Sequence, residues 1–276
     1  MIYFPTTLVL IDDDVDFLNA LARLLGDKDF SIKTFSSPHH ALEFLQEMET
    51  LSKTHGLFPS RNNQDTWEEW VEKIRQSPLK NKIPSCVVTD FQMPHVDGLT
   101  LLEKIKNPLT KILLTGALDQ NKAIKAFNSH KIDQFYSKED LIQLKNLPHI
   151  IQEEIYRFFA QNFSLFTSYE ESYQLLHICQ KLHIIELYPL DFSGGYAATL
   201  QSGEKNVLFC PTINAVRNLK DEGFEKFDCK IYNCGDIMQD AAQYYEEKSN
   251  MKSSILDSMN LRKNKYILCT IHRQEN

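Results

Sequence analysis

The stretch LVLIDDDVD, Leu8 to Asp16, runs four apolar residues straight into a block of carboxylates. A short unbroken apolar run that ends abruptly reads as a strand buried on both faces, the habit of parallel sheets. Phe17, Leu18, Leu21, Leu24 and Leu25 follow at helical spacing. The alternation continues along the chain. Ser31–Phe35 reads as a second strand and Pro38–Met48 as a second helix. SCVVTD, KILLTG and IDQFYSK supply strands three to five, with helical patterns at Leu99–Ile105 and Lys122–Phe127 between them. Five strands with crossover helices predict an α/β, flavodoxin-like, doubly wound parallel sheet.

A length of 276 residues suggests two domains, with room for an added fragment. Hydrophobic residues at 42% and charged residues at 24% are ordinary for a globular protein. A net charge of −7 argues against a large phosphate-tracking surface, so no nucleic-acid partner is expected. No apolar run approaches a membrane span, and MIYFPTTLVLIDDD lacks the basic start and cleavage site of a signal peptide. The cysteines (86, 179, 210, 229, 234, 269) are scattered and read as reduced thiols of a cytoplasmic protein.

The stretch from Glu49 to Pro84 is longer than a helix-to-strand connection needs. Within it Thr66-Trp-Glu-Glu69 has the form of a capping box, and Trp67, Trp70, Val71 and Ile74 make one apolar stripe. Local core and a partner-docking face are both open readings of that stripe. Pro148 sits where a helix can begin. Ser168-Tyr-Glu-Glu171 opens another capped helix, with Leu175, Leu176, Cys179 and Leu182 facing inward. IIELYPLDF, YAATL and NVLF then read as a β-meander, with Gly194-Gly195 as a turn rather than a phosphate loop.

In an open parallel sheet, ligands bind beyond the carboxyl ends of the strands, where the strand order reverses. Asp12 and Asp13 end strand one, Asp90 ends strand three, Thr115 ends strand four and Lys138 ends strand five. Crowded carboxylates repel unless a cation holds them, and a hard ion such as Mg²⁺ suits an all-oxygen set. An aspartate of ordinary pKa, about 3.9, is ionised at pH 7, so Asp90 is expected to attack a phosphoryl donor directly. Lys138 and Thr115 would then serve the phosphoryl oxygens. Asp14 and Asp16 suit a first helical turn and need no ligand.

LIDDD, VVTDFQMPHVDG, ILLTG and FYSK together resemble a response-regulator receiver domain over about residues 5–160, which implies a receiver domain at 1–160 with an inserted segment near 49–84. The resemblance implies that Asp12, Asp13, Asp90 and the Gln92 backbone carbonyl hold Mg²⁺, and that Asp90 is the phosphoacceptor. It implies Thr115 as the switch hydroxyl, Lys138 as the phosphate-binding lysine and Phe135 as the switch aromatic. A histidine kinase or phosphotransfer protein would be the donor, with an unknown output partner. Glu139 stands where the family usually has proline, so the usual cis bond is not expected there. A homodimer through the strand-four and strand-five face stands as an open expectation.

After a helix and β-meander module at 161–208, the vocabulary changes. CPTINAVRNLKDEGF, YNCGDIMQDAAQYYEEK and YILCTIHRQEN resemble non-hydrolysing UDP-N-acetylglucosamine 2-epimerase over residues 209–276, a partial Rossmann-like fragment. That match places His272, Arg273 and Glu275 near a sugar-nucleotide diphosphate, while Gln239 replaces a family tyrosine. The carboxylates expected to move the proton are absent, so no epimerase activity is expected of this chain alone. No Gly/Ser- or Pro-rich linker marks the junction, which suggests a fused or truncated segment. The leading expectation is a signalling protein switched at Asp90. An epimerase-related protein and a phosphorylation-independent docking module are the alternatives.

Overall fold

The computed structural model describes residues 1–26, 30–58, 66–116, 119–164, 167–189, 196–202, 207–210, 213–221, 223 and 230–233. Its first sheet holds β1 (Thr7–Ile11), β2 (Ser31–Phe35), β3 (Pro84–Asp90), β4 (Thr110–Thr115) and β5 (Gln134–Ser137). All neighbours are parallel, in the order β2-β1-β3-β4-β5. The doubly wound sheet expected from the sequence is present, with its reversal between β1 and β3.

Strand residues alternate between two cores, as a period of two requires. Leu8, Leu10, Cys86, Val88, Ile112 and Leu114 face one core with α1 (Val15–Leu25) and α6 (Leu141–Asn162). Val9, Ile11, Val87 and Leu113 face the other, with α2 (Pro38–Thr54), α4 (Gly98–Glu103) and α5 (Gln120–Asn128). Because both faces are covered, the central strands β1, β3 and β4 are buried almost throughout, while the edge strands β2 and β5 are only partly so.

Several expectations need correction. The helix expected to end at Met48 runs on to Thr54, shortening the irregular stretch. Pro148 lies inside α6 rather than at its start. Asp140 caps that helix, accepting from the Ile142 and Gln143 amides at 3.0 Å each, and Leu147 buries in the core. The cap and the burial of the helix's apolar face each offset part of the roughly 3 kcal/mol that an internal proline costs, contributing on the order of 1 to 3 kcal/mol apiece. Leu24 is exposed, and so is Leu182, which is the C-cap just past the end of α7 (Tyr169–Lys181) and not part of its inward face.

The inserted segment contains α3 (Trp67–Gln76), whose Thr66/Glu69 capping box is formed on both sides. Its stripe is core: Trp70, Val71 and Ile74 are buried. The Trp70 ring stacks on Phe163 at 6.0 Å, and its Nε1 donates to the Gly56 carbonyl at 3.0 Å. Beyond α6, α7 (Tyr169–Lys181) carries the second expected capping box, at Ser168 and Glu171.

A second sheet lies beyond α7, ordered β6-β7-β8-β9: β6 (Ile184–Pro189), β7 (Tyr196–Leu200), β8 (Val207–Cys210) and β9 (Lys230–Asn233). Strands β6, β7 and β8 pair antiparallel, as a meander should. Gly194 and Gly195 lie outside the described residues. Strand β8 then pairs parallel with β9 across α8 (Ile213–Asp221). One strand therefore closes the meander and opens a βαβ unit.

The two sheets share one core. Ile2 N–H donates to the Phe163 carbonyl at 2.9 Å, and Tyr3 and Leu187 exchange backbone bonds of 2.9 and 2.8 Å. Phe4 meets Phe159 and Phe163 edge-on. From the inserted segment, Lys80 pairs with Glu186 at 2.8 Å and donates to the Tyr188 hydroxyl at 2.8 Å. These contacts gather at the amino-terminal ends of β1 and β3. The opposite ends of the strands, where the acidic residues lie, are left open by them.

Candidate functional site

The sheet reversal sets the tips of β1 and β3 side by side, and carboxylate oxygens of Asp12, Asp13 and Asp90 lie within 4.8 Å of one another. Asp12 and Asp90 are buried, while Asp13 is exposed. Asp12 is oriented locally, accepting from the Asp14 amide at 3.0 Å. Asp14 in turn caps α1, accepting from the Asp16 and Phe17 amides. The three consecutive aspartates thus divide into two at the cleft and one at the helix cap.

Lys138 arrives from the tip of β5, its amide bonded to the Thr115 carbonyl at 3.0 Å. Its ammonium bridges two carboxylates, at 2.6 Å from Asp12 and 2.8 Å from Asp90. Phe17 lies beneath, its ring centroid 4.7 Å from the Lys138 nitrogen, a cation–π contact that sequence spacing gave no reason to expect. Among the described residues no peptide bond is cis, in keeping with Glu139 after Lys138.

Burial raises the Asp90 carboxyl above the ordinary aspartate range. The Lys138 ammonium pulls the other way, and the neighbouring Asp12 charge adds to the rise. Asp90 is therefore not the unperturbed carboxylate expected from sequence. Burial opposes charge on Lys138 too, but its bonds to Asp12 and Asp90 outweigh it and its pKa is raised. The shifts are not mirror images, because one ammonium serves two carboxylates in a half-dry site.

Thr115 is fully buried and donates to its neighbour's carbonyl, Gly116, at 2.8 Å. Phe135 is half-buried on β5, opposite Leu113, with its ring against Phe127. Gln92 directs its side-chain amide to Asp119, whose other oxygen meets Lys122 at 3.1 Å. Gly98 is required at its place: a Cβ there would stand 2.0 Å from the Asp90 carbonyl oxygen. That close approach is the physical meaning of the glycine in VDG. His272, Arg273 and Glu275 lie outside the described residues.

Comparison with known proteins finds different relatives for different parts of the chain. The structure of the Legionella pneumophila response regulator LqsR matches at 26% identity with a TM-score of 0.57, over 74% of this chain and 65% of that one. The chain is response-regulator-like, with the receiver fold in its first sheet. An uncharacterized response regulatory protein of Staphylococcus epidermidis is 25% identical over 175 residues, 56% of this chain and 69% of its own. The LqsR match, at 74% of 276 residues, takes in more than the first sheet and its helices, which end at Asn162.

The remainder matches elsewhere. A family model described as UDP-N-acetylglucosamine 2-epimerase covers residues 205–276. A UDP-N-acetylglucosamine 2-epimerase homolog of Methanococcus maripaludis is 49% identical over 74 residues, 26% of this chain but only 19% of the relative. The chain therefore spans about a fifth of that relative's length. Among the described residues no helix is long and apolar enough to cross a membrane.

Proposed function

We propose that the chain is a phosphorylation switch in which Asp90 accepts a phosphoryl group from a histidine kinase or phosphotransfer protein. The observation that carries this reading is the convergence of Asp12, Asp13, Asp90 and Lys138 at one strand-end cleft. An Asp90 oxygen forms a bond to phosphorus while the donor's phosphorus–nitrogen bond breaks, the electron pair staying on the donor imidazole. Lys138 turns from the carboxylates to a phosphoryl oxygen, and the Thr115 hydroxyl exchanges the Gly116 carbonyl for another.

The donor set fits a hard divalent ion, since three carboxylates within 4.8 Å carry more negative charge than one ammonium neutralises. Asp12, Asp13, Asp90 and the Gln92 carbonyl would hold Mg²⁺, which supplies charge neutralisation for the phosphoryl oxygens when bound. Val15, Leu141 and Ile142, on the first turns of α1 and α6 that flank Asp13 and Lys138, are 53%, 70% and 75% exposed. Such an apolar rim suits a partner helix presenting its phosphohistidine. A cytoplasmic location belongs to the same reading.

Intact mass after incubation with Mg²⁺ and a small phosphodonor tests the proposal. Wild type should gain one phosphoryl group, and Asp90→Asn or metal-free protein none. No gain in folded wild type, with the small donor and with histidine kinases alike, would favour a docking module instead.

The epimerase likeness supports a second, narrower reading: residues 205–276 descend from a nucleotide-sugar enzyme. We assign it no epimerase chemistry.

A further inference from the structure

Lys138 is held by two kinds of partner. Asp12 and Asp90 meet its ammonium at 2.6 and 2.8 Å, and the Phe17 ring centroid lies 4.7 Å from the same nitrogen. The two kinds differ in how they respond to a second cation. A divalent ion at Asp12, Asp13 and Asp90 would compete for the carboxylates that now bind the ammonium. The ring carries no net charge, so its face attracts the ammonium whether or not those carboxylates are neutralised.

Both ends of the contact are fixed by their own backbone. Asp14 caps α1 by accepting from the Phe17 amide at 3.0 Å, which sets the turn that carries the ring. Phe17 is half-buried and packs against the core that α1 and α6 share with the sheet. On the other side, the Lys138 amide donates to the Thr115 carbonyl at 3.0 Å, and the Glu139 amide donates to the Ser137 hydroxyl at 3.2 Å. The backbone at Lys138 is therefore set. Its side chain is 23% exposed and has four flexible carbons, so the tip swings out to water unless something holds it.

We propose that Phe17 is a positioning residue, a platform that keeps the Lys138 ammonium beside Asp90 when a metal ion takes over the carboxylates. What this does for phosphoryl transfer rests on the phosphoacceptor reading above. As the Asp90 oxygen bonds to phosphorus and the donor's bond breaks, charge shifts among the phosphoryl oxygens. An ammonium already in place meets that charge without reordering. The third aspartate of the run then has an indirect part, through the cap that sets the Phe17 turn.

Two measurements test the platform, one of them without metal or phosphodonor. In chelator, urea unfolding of wild type, Phe17→Leu, Lys138→Met and the double variant gives the coupling between ring and ammonium. It should amount to about three- to tenfold in the unfolding equilibrium constant, the size of a partly exposed cation–π contact. With Mg²⁺ and a small phosphodonor, phosphoryl uptake followed by intact mass should slow about three- to tenfold in Phe17→Leu. Phe17→Tyr keeps the aromatic face and should stay close to the wild-type rate. In the Lys138→Met background Phe17→Leu should slow nothing further, whereas a merely structural ring would still be missed. Additive unfolding effects would overturn the platform, as would Phe17→Leu at the wild-type rate or a further slowing without the ammonium. Coupling in chelator, with a wild type that takes up no phosphoryl group, would overturn the phosphoacceptor reading and leave the ring–ammonium contact standing. Should Phe17→Leu fail to fold, Phe17→Met carries the same comparison.

Discussion

Trp70→Ala measures whether the inserted segment is part of the core or a surface offered to partners. Trp70 is 4% exposed, stacks on Phe163 at 6.0 Å and donates its indole N–H to Gly56. Phe163 in turn touches Phe4, Phe58, Phe158 and Phe159, so the cavity would open among aromatic rings that cannot all close on it. Truncating a buried tryptophan costs about 3–5 kcal/mol, transfer and cavity together. For a body of this size that lowers the unfolding midpoint by roughly 6 to 20 °C. Thermal and urea unfolding of the two proteins, with exposed Glu68→Ala as a control on the same helix, gives the comparison. The control should stay within about 0.5 kcal/mol of wild type. The chain has two tryptophans, so Trp67 remains as the fluorescence reporter in the variant. A midpoint within about 2 °C of wild type would refute the shared core, because a docking stripe loses only what its partner would have buried.

Further expectations concern the cleft and the junction. Burial raises the folded pKa of Asp90, so its contribution is stabilising below the unfolded value and is lost as pH rises through the folded one. Asp90→Asn should therefore unfold later than wild type at pH 7 without divalent ions, the gain narrowing below about pH 4; a less stable variant at pH 7 contradicts this. Lys138→Ala should bind Mg²⁺ about three- to tenfold more tightly by titration calorimetry, since an ammonium now competes for Asp12 and Asp90, while phosphoryl yield falls. Unchanged or weaker binding would remove the competition. Residues 1–204 alone lose β8 and leave the edge of β7 unpaired, so they should self-associate in light scattering more than the full chain does. A monomer with the midpoint of the full chain would make β8 dispensable.

The receiver sheet was legible because its signals are local. Apolar runs such as Leu8–Ile11 and Val87–Val88 suit strands buried on both faces, the habit of parallel sheets. Asp12, Asp90 and Thr115 each sit at the end of such a run, and Lys138 directly follows the half-buried edge strand β5, so strand boundaries place them. What spacing hid is where side chains turn. Nothing in the spacing directs Asp119 to Gln92, and Phe17, at helical spacing with core leucines, lies under Lys138. Pro148 reads as a helix start because the rule weighs the missing N–H and not the Asp140 cap seven residues ahead of Leu147.

The same contrast explains the division of the chain. A boundary after residue 160 tracks the change of pattern, yet the packing crosses it, for example through Ile2 to Phe4, through Trp70 and through Lys80. Each contact joins residues far apart in sequence, which no local pattern encodes. Strand β8 is the sharper case. The epimerase match begins at 205, two residues before β8, so by sequence this strand belongs to the epimerase-like segment, while by hydrogen bonding it belongs to the meander on one edge and to β9 on the other. A short apolar strand satisfies both demands, because an antiparallel edge reads backbone groups and alternating bulk, not ancestry. A joint of this kind needs no linker. It also ties the epimerase-like segment to the core shared with the receiver, through β7 and β6, at the end of the first sheet away from Asp90.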